Sequence, residues 1–215
     1  TPHQVLVLQK FTANIIQRTV FIINNMFKCP SKQSYIADKM SCHMLKLAVK
    51  FGCISDSVYI AIYYYKTFRY QKALFIIQNT KDKIRNYLLY ERHWKQSAYL
   101  EENGEPSIPA KMKQTIAENI ELYNNILYIT ELKLEQEASA QSRWPMLHIP
   151  VFVMILFIEF LCYRHIDAAC AQRILFELHK LVLCDQGLYL CDLYKDLSLI
   201  HILRCRRYAV CRSRW

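Results

Sequence analysis

Apolar residues recur along most of this chain at the three- and four-residue steps of an α-helix. The opening stretch VLVLQKFTANIIQRTVFIINNMF reads as an amphipathic helix. Asn14, Gln17, Arg18, Asn24 and Asn25 interrupt it too often for a membrane span, and it lacks the basic start and small-residue cleavage site of a signal peptide. From Ile36 to Phe51, Met40, Met44, Leu45, Leu47, Ala48 and Phe51 fall at mostly helical spacing, and Gly52 supplies a stop. In SDSVYIAIYYYKTFRYQKALFIIQNTKDKI, Ser55 or Asp56 is placed to cap a helix running to about Lys66. A second helix is predicted from about Tyr70 to Ile84. A turn that short joins the two as an antiparallel hairpin.

The chain turns polar between Glu91 and Pro109, with Gly104, Pro106 and Pro109 as breakers, which predicts an exposed loop. Beyond it Met112, Ile116, Ile120, Tyr123, Leu127, Thr130 and Leu134 form one continuous stripe, the pattern of a long helix. Pro145 and Pro150 end that segment, and VFVMILFIEFLCYRH opens the most apolar helix of the chain. Its run from Ile149 to Tyr163 is shorter than the roughly 20 apolar residues a membrane span needs and contains Glu159, so a buried helix is expected.

The hairpin of residues 55–84 resembles a tetratricopeptide-type repeat, whose second helix begins near an aromatic residue with alanine three positions later. Tyr70, Ala73 and Leu74 follow that pattern. A methyl side chain at Ala73 lets two helix backbones approach while larger neighbours fill the grooves. Setting Tyr65 on Tyr163 puts Lys66 on Arg164, Ala73 on Ala171, Ile76 on Ile174 and Ile77 on Leu175. Val151 to Leu183 thus reads as a second hairpin on the first one's plan. The expected fold is all-α: antiparallel helical hairpins in a tetratricopeptide-like repeat bundle or short solenoid. Its packing positions are Tyr65, Tyr70, Ala73, Leu74, Ile77, Tyr163, Ala171, Ile174 and Leu175. The expected organisation is N-terminal helices with the first hairpin over 1–90, a loop over 91–109, and a long helix with the second hairpin over 110–196.

Composition agrees with helices. Three glycines in 215 residues is far below the average usage of about 7% and argues against a loop-rich β fold. The nine cysteines are spread out with no C-x-x-C pair, which reads as free cytosolic thiols rather than a disulfide framework. The chain starts without methionine inside an apolar stretch and reads as a fragment of a larger protein.

Nothing in the spacing of polar residues announces an active site. Cys162, His165, Cys170 and His179, or Cys42 beside His43, lack structural-zinc spacing, so no metal is expected. A cysteine nucleophile needs a convergent histidine that spacing alone does not supply. Three isolated glycines cannot build a phosphate cradle, and no paired acidic residues follow a Gly-Ser turn to hold divalent metal at a triphosphate. No catalytic residue and no cofactor is therefore assigned. Tyr63, Tyr64 and Tyr65 are candidates for recognition because aromatic residues concentrate at binding hot spots. Three consecutive positions cannot share one helix face, so one or two should be core, and Tyr63 and Tyr64 are the candidates for an exposed contact.

Two blocks, KFGCISDSVYIAIYYYKTFRYQKALFIIQNTKDK and RWPMLHIPVFVMILFIEFLCYRHIDAACAQRILFELHKLVLCDQGLYLCDLYKD, resemble the C-terminal helical region of large bivalve-mollusc proteins. Those proteins join a male-abnormal (Mab) nucleotidyltransferase-like module, related to cyclic GMP-AMP synthase, to tetratricopeptide-like helices. The resemblance covers about Lys50 to Lys83 and Arg143 to Asp196. It implies a scaffold or protein-binding region whose family's catalytic motifs lie upstream, so no catalytic residue carries over. The alternative it implies is the C-terminal lobe of a nucleotidyltransferase-like sensor in innate immunity.

The last residues, LSLIHILRCRRYAVCRSRW, change the charge picture. Without their five arginines the 28 basic residues fall to 23 against 18 acidic ones, and the formal charge drops from +10 to +5. Half of the basicity that would suggest a nucleic-acid partner thus sits in 197–215. That segment resembles the conceptual translation of a transposase-based sequencing-library adapter, with LSLIHI and CRSRW from its constant ends and a one-base change implied at the stop codon under Leu203. Residues 197–215 are read as a non-native tail. What remains is expected to be a cytoplasmic, non-catalytic region that binds protein partners and neither a membrane nor nucleic acid.

Overall fold

A computed structural model describes residues 2–27, 32–53, 55–98, 119–141 and 145–183. The described residues are all-α apart from one small two-stranded sheet. No helix among them is long and apolar enough to cross a membrane. The chain divides into two compact units, Thr1–Glu118 with Ile126–Tyr128, and Asn119–Asn125 with Ile129–Trp215.

The first unit is built from α1 (Pro2–Met26), α2 (Lys32–Phe51), α3 (Asp56–Lys66) and α4 (Tyr70–Ala98). Contacts follow chain order, α1 with α2, α2 with α3 and α3 with α4, with α1 also touching α3. Each outer helix buries one stripe: Ala13, Gln17, Val20 and Phe21 on α1, Ala37, Ser41, Leu45 and Ala48 on α2, and Ala73, Ile77, Thr80 and Ile84 on α4. Helix α3 differs, because every residue from Asp56 to Tyr65 is buried. Its polar residues are accordingly bonded. Ser57 Oγ lies 2.7 Å from Thr80 Oγ1 on α4. The Asp56 carboxylate takes a hydrogen bond from Gln17 Nε2 at 2.8 Å and another from the Cys53 amide. Ser55 holds the N-cap position of α3 without a side-chain bond, and the Asp56 carboxylate instead accepts the amide of Cys53, which precedes the helix. A Cβ at Gly52 would collide with that carboxylate and force it to shift.

The turn from α3 to α4 is a Schellman closure. The Arg69 amide donates to the Tyr64 carbonyl at 2.8 Å and the Phe68 amide to the Tyr65 carbonyl at 2.9 Å. Phe68 supplies the left-handed residue with φ of 61°, a conformation that normally selects glycine.

The second unit contains β1 (Asn119–Tyr123), a 3₁₀ turn (Thr130–Leu132), α5 (Lys133–Gln141), β2 (Met146–Pro150), α6 (Val151–Ile166) and α7 (Ala168–Leu183). The strands pair antiparallel, with Asn119 opposite Pro150 and Tyr123 opposite Met146. This corrects the long helix expected from residue 110 onward. In NIELY, Ile120 and Leu122 are buried while their neighbours are not, a two-residue alternation that fits a strand as well as Ile120 and Tyr123 fit a helical stripe. Pairing with β2 satisfies the backbone and decides the outcome. Helix α5 then braces the strand ends: Gln136 Nε2 donates to the Tyr123 carbonyl at 2.9 Å and Ser139 Oγ to the Met146 carbonyl at 3.2 Å.

Helix α6 starts directly after Pro150, packs on both strands and forms a hairpin with α7. It is buried around most of its circumference, Glu159 included. Helix α7 buries Ala171, Ile174, Leu175 and Leu178. The predicted loop is also revised, since Glu91–Ala98 belongs to α4. Residues 99–109 of that loop, Met112 and Ile116 of the predicted helix, and the tail at 197–215 lie outside the described residues.

Candidate interaction surface

A connected polar cluster of the first unit sits where the α3–α4 turn meets α2. Arg69 grips Asp38 with both ends of its guanidinium, Nη2 at 2.5 Å from Oδ1 and Nη1 at 3.2 Å from Oδ2, while Nε donates to Thr67 Oγ1 at 3.0 Å. The Tyr63 hydroxyl donates to the same Asp38 Oδ1 at 2.7 Å. The guanidinium carbon lies 5.5 Å from the Tyr63 ring centre and 5.0 Å from that of Tyr64, within cation–π range. Burial, reinforced by the bond to Asp38, pushes the Tyr63 phenol well above the ordinary tyrosine range, and burial also raises Tyr64. A phenol held protonated is a poor acid near neutral pH, and both oxygens of Asp38 are already taken up by hydrogen bonds. The cluster ties α2 to the next hairpin.

A second clamp closes the C-terminal end of α3. Lys66 Nζ donates to Asn25 Oδ1 at 2.6 Å and to the Leu127 carbonyl, which also accepts from Asn25 Nδ2 at 3.2 Å. The ammonium stands 5.6 Å from the Phe21 ring centre. Phe21 in turn packs against Tyr128 at 4.6 Å, and Tyr59 contacts the same Tyr128 ring at 6.4 Å. In the second unit Arg164 pairs with Glu131 at 3.0 Å.

The structure places the residues singled out from the sequence as follows. Ala73 and Ile77 are buried, Leu74 and Tyr70 half-buried, and the rings of Tyr65 and Tyr70 lie 5.8 Å apart. In the other hairpin Ala171, Ile174 and Leu175 are buried and Tyr163 is half-buried. Tyr63 and Tyr64 are not exposed contacts: Tyr63 is 0% and Tyr64 9% accessible. Because α3 is buried from Asp56 to Tyr65, three consecutive tyrosines all enter the core.

Two thiols of the second unit are raised rather than activated. Burial, with Glu159 adding to it, pushes the Cys162 thiol up to about 12. The Cys170 thiol is also raised, chiefly by its hydrogen bond to Asp167. Activation as a nucleophile requires the opposite shift. Among the described residues no three His, Cys, Asp or Glu side chains converge to hold a metal ion.

What sequence spacing did not identify is an exposed apolar surface on α1 and α2. Leu8, Phe11, Ile15 and Ile22 are exposed along α1, and Ile36, Met40, Leu47 and Phe51 along α2. The signal was present in α2, whose apolar residues are too many for one stripe: Leu45 and Ala48 face the core while Met40, Leu47 and Phe51 do not. The chain matches no protein-family model, no curated protein and no solved structure.

Proposed function

We propose that these hairpins form a non-catalytic, helical-repeat interaction or scaffold region of a larger cytosolic protein. The observation that carries the reading is that exposed apolar side chains line α1 and α2 while the connected polar clusters are spent holding helices together. Helical repeats commonly bind through the surfaces that stacked hairpins present. Support for a repeat comes from the sequence alignment that sets Tyr65 on Tyr163. It aligns the first residues of α4 and α7, Tyr70 and Ala168, and it aligns buried Ala73 with Ala171, Ile77 with Leu175 and Thr80 with Leu178. The raised thiols of Cys162 and Cys170 favour a structural role over covalent catalysis. The likeness to the helical region of bivalve Mab-type proteins points the same way, toward a partner-binding segment next to a separate module.

The test is site-specific photo-crosslinking in eukaryotic cytosol, with benzoylphenylalanine replacing Leu8, Phe11 or Met40 in the otherwise intact chain. Crosslinks to defined proteins that disappear when the fold is disrupted by Ala73→Phe are the expected result. If no position gives a fold-dependent crosslink, the reading is wrong.

A further inference from the structure

Helix α2 carries a second apolar stripe that its own hairpin does not use. The buried face is Ala37, Ser41, Leu45 and Ala48. Ile36, Met40, Leu47 and Phe51 are 54%, 48%, 37% and 40% accessible, and at about 100° per residue they fall on one line roughly a quarter turn from the buried face. Beside that line, on the side away from the core, lie the exposed Lys32, Lys39, Lys46 and Lys50, with His43 among them. Lys32, Lys39 and Lys46 recur every heptad, as do Met40 and Leu47. In coiled coils this is the register in which charges flanking an apolar seam choose the partner. Asp38, the only carboxylate of α2, lies on the far side of the helix and is engaged by Arg69 and Tyr63.

Building on the interaction reading above, we propose that this face of α2 docks an acidic amphipathic helix of a partner protein. The partner's apolar stripe would sit on Ile36, Met40, Leu47 and Phe51, and its carboxylates would face the lysine row. Charge complementarity selects this occupant. A second copy would set one lysine row against another, and like charges across an interface disfavour pairing. An anionic bilayer would satisfy the charge but needs no heptad register, whereas a helix seated along α2 matches the spacing of both rows.

The test is fluorescence anisotropy of the full chain with a labelled synthetic helix of three heptads. This probe carries isoleucine and leucine on its seam and glutamate at the flanking positions; a second probe has lysine in place of glutamate. The glutamate helix should bind, and added salt should weaken it. Affinity should fall at least about tenfold with Leu47→Asp or with Lys39→Glu/Lys46→Glu, and the double charge reversal should transfer binding to the lysine helix. All three positions are exposed, so far-ultraviolet circular dichroism should be unchanged. The proposal is overturned by equal binding of both probes, or by glutamate-helix binding indifferent to these substitutions. It is equally overturned if only phosphatidylserine vesicles bind, or if the face mediates self-association that Leu47→Asp abolishes while no helix binds. Selection from a displayed library of random helical peptides separates this site from the broader reading. Enriched peptides indifferent to Leu47→Asp remove the α2 site alone; no fold-dependent enrichment removes the interaction reading as well.

Discussion

The two hairpins that open on α3 and α6 close in different ways. Between α3 and α4, Thr67, Phe68 and Arg69 make a Schellman turn through a left-handed phenylalanine, and Arg69 then reaches across to Asp38 on α2. Between α6 and α7 a single residue, Asp167, suffices. Its Oδ1 accepts the amides of Ala169 at 2.9 Å and Cys170 at 3.2 Å, an N-cap made entirely of neighbours. The first turn is wired to α2 through Arg69, whereas the second is capped by its own Asp167, with Arg164 in the last turn of α6 reaching back to Glu131. A hairpin can thus keep the same alanine-centred seam while the polar chemistry at its apex is anchored differently.

The largest effects are expected at the seams, where the hairpins should behave alike. Ala73→Phe and Ala171→Phe should each lower stability by about 2–3 kcal/mol or more, because both methyls are buried at helix–helix contacts. Urea denaturation checks this, and a neutral result at Ala171 would separate the two hairpins.

The next effect should distinguish them. Tyr63→Phe removes one of three bonds to Asp38 and should cost about 1 kcal/mol near neutral pH. It should also blunt alkaline unfolding. The Tyr63 phenol is raised in the folded protein, so its contribution is fully present below the unfolded tyrosine value near pH 10 and is lost as pH climbs through the folded value. A stability titration from pH 8 upward compares the variant with the parent.

Phe68→Asn should act in the opposite direction, stabilising by roughly 0.5–1 kcal/mol, because asparagine tolerates the left-handed conformation better than phenylalanine. The exposed ring forfeits only an edge contact with Tyr70 at 6.3 Å. Thermal unfolding checks the sign.

The smallest effect is expected at the other apex. The thiol of Cys170, with the amides of Cys170 and Ala169, holds the Asp167 carboxyl below its ordinary range. Its stabilisation is present above the unfolded aspartate value and lost as pH falls through the folded one. Asp167→Asn should therefore lose less stability relative to the parent at pH 2 than at pH 7, which acid-to-neutral melting curves report.

How far these features were legible in the sequence follows from their range. The α3–α4 hairpin and its turn could be read because Gly52, the apolar run and Ala73 are local signals. The α6–α7 hairpin could be read because Pro150 and the apolar run mark its start. Strand β1 could not, because Ile120, Tyr123 and Leu127 continue a helical stripe and the partner strand at Met146–Pro150 is distant in the chain. The tyrosines misled for a related reason. Consecutive aromatic residues predict an exposed member only when a helix has a solvent side, and α3 has almost none. The Asp38–Arg69 pair carries no local signature at all.

That pair joins α2 to the next hairpin as structure rather than chemistry. A double-mutant cycle with Asp38→Asn and Arg69→Met, read by urea denaturation, measures the tie itself. With side chains 36% and 27% accessible, the predicted coupling is about 1 kcal/mol, with helical content retained in all variants. Additive single-mutant effects, with no coupling, would contradict it.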